Sequence, residues 1–166
     1  MSEIALGIWR NAPVWIWPLF VVLVAVGIMA MRTRDASLVP YLFFPLFGLS
    51  AVGAIGGLVH VPLNWIVFSI AYAAGLVPAF RWQDGLILRK ERRRMRLRGE
   101  RVTLAILMVV FFSNFVNGVI EEVAPLLRDS PVFTVIFAAL VGACAGSFLG
   151  RGLRVVTLGA RKAPAT

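Results

Sequence analysis

The residues best equipped for chemistry in this chain are Asn114, Asn117 and Glu121, whose spacing of three and then four puts them on one face of a helix. The two asparagines interrupt an otherwise apolar run, Thr103 to Ile120, and Glu121 follows it. A polar stripe in such a setting can wall a water-filled cleft or a proton or cation path. The competing reading is interhelical hydrogen bonding by the two amides, with Glu121 in water. A second group comprises His60, Glu121, Glu122 and Asp129, all in or beside short connections between apolar runs. One imidazole with several carboxylates could hold a divalent cation or titrate, but the spacing matches no metal motif and reads equally as solvated loop residues. The sequence holds one cysteine, Cys144, so one chain can form neither a disulfide nor a cysteine-based metal site. It has no HExxH, no GxxxxGK and no GxSxG, and its lone histidine leaves no pair for bis-histidine haem. These features point to a non-enzymatic protein without a cofactor.

The elements that must position these residues are dictated by hydropathy. Apolar residues make up 60% of the 166 positions, and the mean hydropathy is +0.86. The 25 charged side chains (17 basic, 8 acidic) fall between the long apolar runs, as expected when hydrocarbon excludes ionisable groups. A helix needs roughly 20 residues to cross about 30 Å of hydrocarbon. Five segments satisfy this, near residues 13–31, 38–58, 62–80, 102–120 and 132–150. Each is apolar on all sides, which argues against barrel strands. The expected fold is therefore an all-α membrane protein, with residues 1–166 forming a single integral membrane domain. The first run ends in Arg32-Thr33-Arg34 and not in a small-residue cleavage site, so it is expected to stay in the mature chain.

Orientation follows from the cations. Lys and Arg number one before the first span, two at 32–34, none between the second and third, nine in 81–101, one at Arg128 and four beyond 150. Alternate loops therefore carry 15 on one side and 2 on the other, which predicts an outside N-terminus and a cytoplasmic C-terminus. Trp9, Trp15, Trp17 and Trp65 then fall at the outer interface and Trp82 at the inner one.

The segment 81–101 is the one sizeable polar element. Leu86 and Leu88, then Met95 and Leu97, alternate with polar residues, predicting a basic hairpin after an Asp84-Gly85 turn, with a charged helix as the rival. Its cations Arg89, Lys90, Arg92, Arg93, Arg94, Arg96, Arg98 and Arg101 form a juxtamembrane patch suited to anionic lipid. The patch has no aromatic residue to stack a base, which disfavours nucleic acid.

Small residues mark where helices can approach closely. Gly142, Gly146 and Gly150 recur every four residues, with Ala138 and Ser147 nearby; Gly53 and Gly57 repeat the spacing, as do Ala71 and Gly75. Such stripes pack helices within a monomer or between copies in a homo-oligomer, and spacing does not separate the two. Pro18, Pro45 and Pro78 are expected to bend their helices.

Several of these residues also carry a resemblance. Pro13-Val14-Trp15, Gly27 before Arg32, Pro45, Gly99, Phe111-Phe112 with Asn114-Phe115, Pro125, and Gly146 through Gly150-Arg151 make the chain similar to a family of small bacterial inner-membrane proteins of unknown function. The resemblance implies a multi-pass protein of the bacterial inner membrane and supplies no activity. The expected role is that of a subunit or scaffold in a membrane assembly. The alternative is a small transporter or channel using the polar stripe.

Overall fold

The computed structural model describes residue 14 and residues 16–37, 44–59, 61–90 and 94–158. His60, Trp9, Trp15, Arg92 and Arg93, together with the Arg94 side chain, lie outside the described residues. In chain order the elements are α1 (Ile16–Ala30), β1 (Arg34–Ser37), α2 (Phe44–Gly56), α3 (Val61–Leu86), β2 (Ile87–Lys90), β3 (Arg94–Leu97), α4 (Val102–Val123), α5 (Pro125–Arg128) and α6 (Pro131–Thr157). Helices prevail because a helix satisfies its own backbone polar groups, the condition hydrocarbon imposes. Among the described residues, three helices are long and apolar enough to cross a membrane: Pro62–Leu86, Val102–Val123 and Pro131–Thr157. The first two predicted spans appear as shorter helices, α1 with 15 residues and α2 with 13.

The centre of the fold is the pair α3 and α6, and α6 also touches α2 and α4, while α1 packs on α4. Backbone contact sets the pair. A side chain at Gly142 would lie 2.6 Å from the Phe68 carbonyl oxygen, and side chains at Gly146 and Gly150 would strike those of Tyr72 and Leu76. Gly75 of α3 meets the Ala143 carbonyl in the reverse sense. The glycine face of α6 is therefore covered by α3 of the same chain. The Gly53 and Gly57 stripe is not used this way, since Gly53 has open space and Gly57 meets only its own helix. Beside the seam, Ala51, Ile55, Leu58, Phe68, Phe137, Ala138 and Ala145 form a buried apolar cluster joining α2, α3 and α6. Phe20 fixes α1 on α4, its ring centroid 5.1 Å from that of Phe111.

Both central helices outrun their predicted ends, α3 to Leu86 and α6 to Thr157. Asp84 and Gly85 are thus helical and form no turn. Pro78 lies inside α3, which continues through it. The predicted hairpin is present as β2 and β3, but the extra helical turns shift its phase. Ile87, not Leu88, is buried on the first strand, beside Met95 and Leu97 of the second, and the ladder is irregular between Ile87 and Arg89. A one-residue slip of this kind exchanges the faces of a strand.

A third strand completes the sheet, in the order β1-β3-β2. Its sequence, Arg-Asp-Ala-Ser, has little strand preference, so tertiary context builds it. Arg34 pairs with Leu97 and Ser37 with Arg94 in antiparallel register. The Glu100 N–H donates to the Ala30 carbonyl at 2.9 Å. Gly99 lies so close to the Met31 and Arg32 backbone that a Cβ there would overlap it. The inner face of the sheet covers Val155, near the end of α6.

If the α3–α6 seam organises the fold, Gly146→Ala should destabilise the protein by about 1–3 kcal/mol through overpacking. Gly53→Ala should be neutral or stabilise by up to about 1 kcal/mol, as expected of a glycine in an unobstructed helix position. Thermal melts of both variants in mild detergent test the contrast, which equal losses would refute.

Candidate functional site

Two polar regions exist, one at the sheet end of the helices and one along α4. At the sheet end, Arg151 is 5% exposed although it carries a full charge. Helix α6 brings it there because Cys144, Phe148 and Arg151, at seven- and three-residue intervals, share one face. Its Nη1 donates to Glu100 Oε1 at 2.6 Å and to Thr103 Oγ1 at 2.8 Å. The Thr103 hydroxyl in turn donates to Glu100 Oε1 at 2.6 Å, closing a three-membered ring. Trp82 Nε1 donates to the other carboxylate oxygen at 3.1 Å. Glu100 precedes the first turn of α4, where the helix dipole favours negative charge. Four side chains from α3, the β3–α4 link, α4 and α6 are joined at one carboxylate.

Nearby groups extend the network. Arg154 pairs with Asp84 at 2.8 Å and lies 5.1 Å from the centroid of the Phe80 ring. Lys90 Nζ donates to the Val155 carbonyl at 2.5 Å and also to that of Leu158. A lysine at the end of a helix satisfies carbonyls that have no partner within it. A small pocket of about 10 Å³ opens beside Glu100, lined by Arg32, Arg34, Gln83, Arg98 and Thr103 among others.

The predicted basic patch is thus divided by the sheet. Lys90 is committed to the end of α6, and Arg98 lines the pocket. Arg89, Arg96, Arg98 and Arg101 are exposed.

The predicted stripe on α4 does not act as one surface. Asn114 lines a cleft of about 80 Å³ with Ser113, Cys144 and seven apolar residues of α2, α4 and α6. Its Nδ2 donates to the Val110 carbonyl at 2.8 Å, a bond within its own helix. Asn117 is absent from the cleft lining, and its Oδ1 is buried without a hydrogen-bond partner. Glu121 pairs with Arg128 of α5 at 3.1 Å, where more than half of its side chain is exposed. The cleft arises because α2 and α4 both rest on α6 without closing on each other.

Among the described residues, no group of three His, Cys, Asp or Glu side chains could hold a metal ion. Sequence reasoning gave Glu100, Thr103 and Arg151 no chemical role. The available signal was the helical period: carried past Gly150, it puts Arg151 on the same face as Cys144 and Phe148. Asn64 also went unread; it is fully buried, and its Nδ2 donates to the Val59 carbonyl at 2.6 Å.

Compared with family models, with curated proteins and with solved structures, the chain has no match.

Removing one member of a buried ion pair strands the other, at a cost of about 3–5 kcal/mol. Arg151→Met and Glu100→Gln should therefore each lower the melting temperature in detergent. The double variant should lose less than the sum of the two. Additive losses would mean that the pair is not coupled.

Proposed function

We propose that the chain is a non-enzymatic subunit or scaffold of a bacterial inner-membrane assembly. In this reading it crosses the membrane five times, with its N-terminus outside and the basic sheet in the cytoplasm against anionic lipid. The observation that carries the reading is the state of α4. Only Leu107 among its 22 residues is buried, against twelve residues in α6. Val109, Phe112 and Val116 form an exposed apolar face, spaced by three and four residues. This face, with Ser113 at its border, offers the close apolar packing by which membrane helices associate. A neighbouring membrane helix is the partner it suits.

A second reading, a small transporter or channel, is favoured by the cleft reaching Ser113 and Asn114. Its apolar walls, and the separation of Asn117 and Glu121 from it, make it the weaker of the two. It requires uptake or conductance that falls when Asn114 and Asn117 are both changed to Leu.

Topology is tested by single cysteines in a Cys144→Ala background. Leu126→Cys should react with an impermeant maleimide in intact cells, and Leu88→Cys only after permeabilisation; the reverse pattern would overturn the orientation. For the scaffold role, a photoreactive residue at Phe112 should yield a discrete protein adduct in native membranes, and one at Ile70 of α3 should not. Lipid adducts alone at both positions would remove the support for a partner.

A further inference from the structure

Three arginines, Arg34 half-buried and Arg32 and Arg98 exposed, line one small pocket. Arg32 follows α1, Arg34 opens β1, and Arg98 follows β3; all three line the cavity beside Gln83, Glu100 and Thr103. Gln83 is 2% exposed, so the pocket has a buried polar wall as well as a charged rim.

The negative charge available to neutralise these arginines is engaged elsewhere. Both oxygens of Glu100 accept hydrogen bonds, one from Arg151 and Thr103 and the other from Trp82. Asp84 is paired with Arg154. Asp35 neighbours Arg34 in sequence, but consecutive strand residues face opposite ways. It is exposed where Arg34 is half-buried, and it is registered against Arg96. Among the described residues, no carboxylate pairs with Arg32, Arg34 or Arg98. The pocket therefore carries a concentrated positive charge on a scaffold held by the Glu100–Ala30 backbone bond and the close approach of Gly99 to Met31.

We infer that this pocket is a binding site for a phosphate group. Guanidinium forks match phosphate oxygens in geometry and remain charged at any physiological pH. A volume of about 10 Å³ admits one oxygen-sized atom. One phosphate oxygen enters toward Gln83, and the rest of the group lies in the mouth among the three arginines. The phosphate belongs either to an anionic lipid headgroup or to a soluble phosphate. The lipid source rests on the cytoplasmic, juxtamembrane position proposed above, whereas the pocket itself does not.

The test uses the full chain in nanodiscs of phosphatidylcholine. One arm adds increasing fractions of phosphatidic acid, and the other titrates inorganic phosphate into discs without it. Each is read as a saturable rise in melting temperature. Saturation with the lipid alone identifies a headgroup site, with phosphate alone a soluble-ion site, and with both a site that recognises the shared group. Arg98→Gln should weaken the apparent affinity by about tenfold, the scale of one charge-assisted contact. Arg96→Gln removes the same charge from a neighbouring exposed residue that does not line the pocket and should change it by less than about threefold, as expected of an exposed charge.

Arg98→Lys keeps the charge without the fork. It should fold like the parent and bind with intermediate affinity, so it carries the test if Arg98→Gln does not fold. Absence of saturation with either probe would overturn the site. So would equal behaviour of the Arg96 and Arg98 variants, which would mean diffuse surface attraction.

Discussion

Everything else in this structure depends on how closely α3 and α6 approach. In hydrocarbon there is little hydrophobic force between helices, and their association rests on van der Waals packing and hydrogen bonds. Removing the Cβ at Gly142, Gly146 and Gly150, with Gly75 opposite, brings backbone against backbone along the seam. Ser147 adds a hydrogen bond to the Gly75 carbonyl at 3.4 Å. Once that seam is formed, the other faces of α6 are fixed in space, and α2 and α4 dock on them. The seam also sets the level at which the two helices end, and so which polar residues meet beyond it.

The ionic network is the consequence of that alignment. Both helices continue for roughly two turns past the apolar stretch, bringing Gln83 and Asp84 to the level of Arg151 and Arg154. A buried ion pair is weak evidence for net stability, because desolvation offsets much of the attraction. What the Arg151–Glu100–Thr103 ring does is register α4 against α6, since a displaced α4 would leave charges buried and unmatched. Trp82 adds α3 to the same carboxylate. One glutamate thus links the seam to α4.

Three of the five predicted apolar segments were legible as helices long enough to cross a membrane, because exclusion of charge from hydrocarbon leaves a clear pattern. Their ends were less so. Arg81, Asp84, Arg151 and Arg154 read as the start of loops, yet Asp84 and Arg154 neutralise each other and the helices run on. That extension reset the phase of the hairpin and put Ile87 inward in place of Leu88. Strand β1 was illegible for a different reason: Arg-Asp-Ala-Ser forms a strand only because β3 and the Gly99 contact hold it. The two glycine stripes show the limit of spacing as evidence. Gly142 to Gly150 and Gly53 to Gly57 look alike in sequence, but only the first meets a neighbouring backbone.

The sheet resolves what a count of cations cannot. Taken together, the residues from Arg89 to Arg101 look like one diffuse basic patch, whose attraction to anything anionic would fade within a Debye length. Folding sorts them by position. Lys90 is spent on the carbonyls ending α6, and Arg98 lines one pocket with Arg32, Arg34 and Gln83, whereas Arg96 stands outside that lining, opposite Asp35. The arginines of the second group share one lining and can act on a single group together, while an isolated exposed charge such as Arg96 adds only to the mean field. A surface that in sequence offers only sign therefore acquires, from three short strands, one place where shape also matters.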